Sequence, residues 1–438
     1  MRDVLLLAFI AGSLLITLRY PFIGLLLWAW FTLATPQQAA YAAKDIPLNL
    51  LIAAVVFAVF FFHQEFKKLR FDAISTLLIG FTLWLMISQL QSLEPDRSME
   101  FTDRFIKIMV FIYLISQVVT TRLRFHALLW AFALIMGFYG AKGGLYTIIK
   151  LGSGTYAGQV DTILYDNNHM GIALATSLPM FLYLAGVVKN PLLRWGIYGI
   201  FGLSVLAILG TQSRGALVAL VSFGAYIWLR STWKTKVVSI FAVAIMAVPV
   251  AQILPEKWFD RMETIKTADE DESFMGRVDA WKISGKLALK YPVTGVGLRN
   301  SYHKDISRQV DMHRKPRASH SIYFEILGGM GFVGLAFYLA LIGTGWFKAI
   351  AAERIFRTAE HGRWRARFGY YAQISLFVFC AGGASVSLEM WEGYLLIIAL
   401  ISVLPFIDHT PEHQRRGQAL EKIRRRIRSK QERINASD

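Results

Sequence analysis

Charged residues are scarce in this chain of 438 residues, at 18% against 55% hydrophobic. A soluble domain carries about 25%, so with a mean hydropathy of +0.43 an ordinary soluble globular protein is excluded. There is one cysteine, Cys380, which rules out an intrachain disulfide and leaves the redox compartment unread. No internal repeat or low-complexity tract is present, which weighs against a repeat-built transporter. Gly295 and Gly297 in GVGLRN lack the third glycine and the preceding strand of a dinucleotide loop. The first apolar run has no small-residue cleavage site and continues through Trp28 and Trp30, so no cleavable leader is expected. The net charge of +17 does not predict nucleic-acid binding, because the basic residues cluster in short segments between apolar runs, where they set topology.

What is present is apolar run after apolar run. A helix needs about 20 apolar residues to cross a bilayer. Spans are predicted near 46–62, 73–91, 103–120, 126–149, 171–188, 193–210, 213–229, 236–254, 321–347, 368–387 and 392–407. Residues 4–34, broken by Arg19-Tyr20-Pro21, cross either once as two broken pieces or twice. The single crossing is preferred, with Arg2 inside. The basic connectors around Lys67, Lys68 and Arg70, Arg122 and Arg124, Lys189 and Arg194, Arg230 to Lys236, and Lys348 to Arg367 then share the cytoplasmic side. The expectation is an all-α polytopic membrane protein of about 12 transmembrane helices with one large, largely helical periplasmic loop. The divisions are 1–170 N-terminal transmembrane region, 171–254 core helices, 255–320 loop, 321–408 C-terminal helices and 409–438 basic cytoplasmic tail.

Charge is segregated within the loop. Glu256 to Glu272 is acidic, whereas Arg277 to Arg317 holds ten Arg or Lys against Asp279, Asp305 and Asp311. A basic surface at the outer membrane boundary suits an anionic lipid-linked substrate such as a polyprenyl diphosphate. Lys282, Lys286 and Lys290, spaced i, i+4, read as a solvated helix face. Arg214 opens an apolar run; at mid-membrane it would cost about 2.5–3.5 kcal/mol, so it belongs at an interface or a polar cavity. Tyr165 to His169 begins a span on the same side, and Glu389 and Glu392 lie between the last two spans. Ser301, His303 and Asp305 are spaced wrongly for a triad. Asp269-Glu270-Asp271 reads as solvated loop rather than a metal site, and no metal or cofactor is expected.

Four patches together resemble the O-antigen ligase and O-antigen polymerase superfamily. They are SRGALVAL (213–220), GRVDAW (276–281), YPVTGVGLRNSY (291–302) and ASHSIYFEILGGMGFVGLAFY (318–338). YDNNHMG is similar to the exosortase-associated O-glycosylation ligase branch. The resemblance implies a GT-C-like enzyme of the bacterial inner membrane. Such an enzyme moves a glycan from undecaprenyl diphosphate to an acceptor hydroxyl, of lipid A core or similar, at the periplasmic face. Carried over by residue, Arg214 and Arg277 match the family's arginines and His320 its histidine. Arginine forks suit a diphosphate leaving group, and an imidazole can take the acceptor proton at neutral pH. Inverting, metal-independent transfer with His320 as general base is therefore expected. Arg299, Arg314 and Arg317 are secondary phosphate candidates, His303 and His313 are rival bases, His169 can orient lipid, and Glu389 or Glu392 can complete the wall. The alternatives are a polysaccharide polymerase, a protein O-oligosaccharyltransferase, or a transporter of lipid-linked glycans.

Overall fold

The computed structural model describes residues 2–65, 69–253, 255–263, 272–359 and 362–407. Lys67, Lys68, Asp269 to Asp271 and the tail 409–438 lie outside them. Among the described residues all regular structure is helical: α1 (Arg2–Arg19), α2 (Pro21–Ala34), α3 (Leu48–Phe62), α4 (Ala73–Leu90), α5 (Pro95–Val118), α6 (Arg122–Ile149), α7 (Asn167–Val187) and α8 (Pro191–Gly210), then α9 (Arg214–Arg230), α10 (Trp233–Ile253), α11 (Glu256–Glu263), α12 (Glu272–Lys290), α13 (Lys304–Ser307), α14 (Ile322–Phe356), α15 (Arg363–Gly383) and α16 (Glu392–Val403), with short 3-10 turns between. Five of these, α4, α6, α7, α8 and α14, are long and apolar enough to cross a membrane, and α2, α3 and the stretch 392–406 are shorter apolar helices.

Helix starts follow local chemistry. Asp72 and Ser75 form a capping box on α4, and Thr121, Asp166, Asn190 and Ser213 cap α6, α7, α8 and α9 with side-chain oxygens. Each satisfies backbone N–H groups that the helix itself cannot. Pro21, Pro95 and Pro191 stand at the first helical position, where a missing N–H costs nothing.

The break in residues 4–34 is a reversal of the chain. Tyr20-Pro21 reverses the chain instead of bending it, so α1 and α2 lie side by side and Gly24 packs on Thr17. The Asp3 carboxylate accepts from the N–H groups of Tyr41, Ala42 and Ala43, while His63 Nε2 is 2.9 Å from Leu18 O. The two helices thus form an antiparallel pair, and Arg2, over the Tyr41 ring, stands at the end opposite the basic connectors. A hydropathy profile records a gap in apolarity, not a change of direction.

Contacts define two ends. At one, Glu353 accepts from Arg230, Arg357 and Gln373, Lys348 pairs with Asp72 and Arg124 with Glu65. Most of the basic connectors gather there. At the other, the 291–300 segment meets α4, α5 and α14. Between the ends α7 is the axis: 83% of its most apolar window is buried, against α6, α8, α9 and α15. Helix α6 meets α8 through a stripe of Gly137, Gly140 and Gly144, whose missing Cβ atoms give space to Ile200, Ser204 and Leu203, as small residues do where membrane helices approach closely. A Cβ on Gly144 would stand 2.3 Å from the Leu203 carbonyl oxygen. Gly144→Ala must therefore separate the two helices, with an expected loss of about 1–3 kcal/mol. The check is the apparent melting temperature of the detergent-purified protein.

Helix α14 is interrupted at Gly331, φ 69°. The carbonyls freed near the break are taken up from outside: Val296 and Gly297 N–H donate to Gly328 and Gly329 O, and Trp84 Nε1–H to Met330 O. Phe332 N–H in turn reaches Pro292 O. Glycine is needed at 331, because a side chain would meet Val293 O at 2.4 Å. The GGMGFVG and YPVTGVG patches are thus two halves of one joint.

Candidate functional site

His320 precedes the N-cap residue of α14 and is pinned from several elements. The Trp281 indole N–H of α12 donates to Ser319 O at 2.7 Å, and its ring stacks on Phe324 with 8° between planes. Arg277 lies one turn earlier on α12, on the face that Trp281 presents to residue 319. On the other side, the Ser319 N–H donates to Glu325 Oε1 at 3.1 Å. Glu325, buried in the first turn of α14, also accepts from Ser387 Oγ at 2.7 Å, which ties the histidine to the turn between α15 and α16.

Arg299 enters from the loop and donates through Nη2 to Glu389 Oε1 at 2.7 Å and to Ser387 O. Its guanidinium also lies 5.4 Å over the Phe101 ring. Arg214 opens α9 directly after the Ser213 cap, and Ser213 Oγ donates to Asn168 Oδ1 at 2.7 Å. Asn167 reaches back to Thr211 O. The starts of α7 and α9 are therefore clasped, and Arg214 follows directly on the cap that is bonded to Asn168. His169 Nδ1 is 2.7 Å from Ile163 O, which requires a proton on Nδ1.

Backbone strain concentrates here. Gln212, Arg299 and His320 adopt φ of 52°, 62° and 45°, values that cost about 1–3 kcal/mol for residues other than glycine and persist where function or surroundings demand them.

The electrostatics favour the neutral form of His320. Burial pushes its pKa down, the Arg277 charge pushes it further, and Glu325 and Asp166 only partly oppose. Asp166 is held below the ordinary carboxylate range: burial works the other way, but His169 and the capped N–H groups favour its charge. Burial opposes the Arg299 charge too, yet Glu389 and Glu325 beside it raise its pKa above normal. Around one imidazole that can accept a proton stand Arg277, Arg299, Asp166 and Glu325.

The remaining candidates divide. His303 is half-buried at the start of α13, and its Nδ1 has no hydrogen-bond partner among the described residues. His313, Arg314 and Arg317 line a different cavity of 880 Å³ between α12 and the 310–317 segment. There Arg314 is tied to Asp279 at 2.7 Å and to Asp311, and Arg317 lies 3.8 Å from Glu272. Lys286 is not merely solvated, for it pairs with Asp311 at 2.8 Å. Glu392 turns away from Glu389 to Arg104, 3.8 Å distant. Glu325, Asp166, Trp281 and Ser387 were absent from the sequence-derived candidates. Asp166 and Trp281 lay inside segments that the sequence singled out, and Glu325 stood out as a carboxylate in an otherwise apolar run five residues after His320.

A family model described as O-antigen ligase matches residues 199–339, and a family of unknown function matches residues 1–188. No curated protein matches. Among solved structures, a chain from a peptidoglycan synthase complex that coordinates polymerization and crosslinking is 16% identical. The match covers 78% of this chain and 98% of that one with a TM-score of 0.39, too low to bear on function.

Proposed function

We propose, from the match of residues 199–339 to the O-antigen ligase family model, that this multi-pass membrane protein transfers a glycan from undecaprenyl diphosphate to an acceptor hydroxyl, such as that of a lipid A core oligosaccharide. The reaction takes place at the periplasmic side of the bacterial inner membrane. The observation that carries the reading is a half-buried His320, its pKa pushed down by burial and by the charges of Arg277 and Arg299, with α12 locked to it through Trp281. In the reaction, His320 takes the proton of the acceptor hydroxyl as its oxygen bonds to the anomeric carbon. The bond from that carbon to the diphosphate oxygen breaks, and undecaprenyl diphosphate leaves with the electron pair, so the anomeric centre inverts. Arg277 and Arg214 stabilise the departing charge, at about 1.5–3 kcal/mol per charged hydrogen bond. Arg299, already engaged by Glu389, acts as a positioning residue.

The test is a reconstitution of full-length protein with undecaprenyl-diphosphate-linked glycan and lipid A core, without nucleotide and with chelator. Mass spectrometry should show glycan on the acceptor with inverted linkage, whereas donor crossing the vesicle membrane without product would make the protein a transporter. A pH profile adds a second check. A neighbouring positive charge disfavours imidazolium, so Arg277→Gln raises the His320 pKa and shifts the acidic limb of the rate profile to higher pH. An unmoved limb would separate Arg277 from His320.

A further inference from the structure

A second cavity of 390 Å³ that the proposed chemistry does not use is lined by α2, the 35–50 segment, α5 and α16. Its size falls within the range of small-ligand sites, about 300–1,000 Å³. Its charged lining is balanced, with Asp103, Asp161 and Glu392 against Lys44, Arg104 and Lys107. Ionisable groups set into apolar helices are expensive and are retained for a function. Glu392 is only 4% exposed, and its cation Arg104 stands 3.8 Å away. Gln37 Oε1 is buried without a hydrogen-bond partner among the described residues. Such groups cost free energy unless something supplies the missing bonds. The apolar wall is Trp28 and Phe111, with ring centroids 4.9 Å apart.

A diphosphate would need a surplus of positive charge, and a hydrocarbon chain would leave the amides and carboxylates unpaired. A saccharide fits both sides: its hydroxyls donate and accept, and its C–H face packs on aromatic rings. Two segments lead from the cavity toward the reaction centre. Phe101, under Arg299, and Arg104, beside Glu392, are three residues apart on one face of α5. Asp161 and Thr162 lead directly into Ile163, whose carbonyl holds His169.

We infer that this cavity is a subsite for an uncharged sugar residue of one of the two glycans that meet at His320, an inference that rests on the transfer reading above. The binding test uses full-length protein in lipid nanodiscs with free glucose, galactose, N-acetylglucosamine and N-acetylgalactosamine, followed by saturation-transfer NMR. At least one sugar should bind, and Gln37→Leu with Glu392→Gln should weaken it about tenfold, the loss of roughly one hydrogen bond. Gln38→Trp, which fills the cavity from its rim, should do the same if the first variant misfolds. His320→Ala should leave binding unchanged. In the transfer assay the same variants should raise KM for either donor or acceptor, naming the glycan held, with kcat retained. If no sugar binds, if the cavity variants bind as wild type, or if neither KM moves, the subsite is wrong. Failure of transfer in the wild type would overturn the catalytic reading and leave the binding result standing.

Discussion

His320→Ala is expected to lower the rate of glycan transfer by about 10²- to 10⁴-fold, the usual loss on removing a general base, while donor binding is largely retained. The two quantities separate because the imidazole acts on the acceptor proton and the arginines on the diphosphate. Single-turnover kinetics with purified donor, alongside an equilibrium binding measurement, would check both. His320→Gly sharpens the test. The native φ of 45° is one that glycine adopts freely, so this variant should lose transfer as completely as alanine while gaining up to about 1 kcal/mol of stability. A variant more stable and inactive would identify the strain as part of the site. Wild-type turnover in either variant would remove His320 from the mechanism.

The second large effect is expected from Arg299→Met. It leaves the fully buried Glu389 facing no cation, and breaking a buried pair in this way costs about 3–5 kcal/mol. The single variant should therefore melt well below wild type. Adding Glu389→Gln removes the orphaned charge and should recover a substantial part of the loss, a coupling that a double-mutant cycle reads directly. If the two substitutions were simply additive, the pair would not be what holds the loop to the turn between α15 and α16. Because the pair also borders His320, the rescued double variant should still transfer slowly, with kcat rather than donor KM affected.

Much of this site was legible in the sequence because its parts are short patches with fixed chemistry. His320, Arg277, Arg299 and His169 fall into one electrostatic neighbourhood, and the Ser213 cap that precedes Arg214 is clasped to the start of α7. What could not be read was pairing. Glu389 and Glu392 are three residues apart and equivalent on paper, yet one turns to Arg299 and the other to Arg104. Arg314 and Arg317 look as basic as Arg277, but their neighbours Asp279, Asp311 and Glu272 engage them at a separate cavity. In the fold, the helices were legible from apolar run length, and five of those described are long and apolar enough to cross a membrane. The reversal at Tyr20-Pro21 was not, because a proline break has the same hydropathy whether the chain bends or turns back.

The joint between Gly331 and the 292–297 segment has a consequence for recombining this protein with others. Two backbone strands of distant sequence share their hydrogen bonds there, with α4 contributing Trp84 and Ser88. Residues 255–320 are therefore not a transplantable cassette. A chimera that exchanges this segment alone would bring in a partner whose carbonyls and N–H groups are out of register with the resident α14. Crossovers that work should keep α4, 291–300 and α14 from one parent, so a single seam anywhere between α4 and α14 separates partners of the joint.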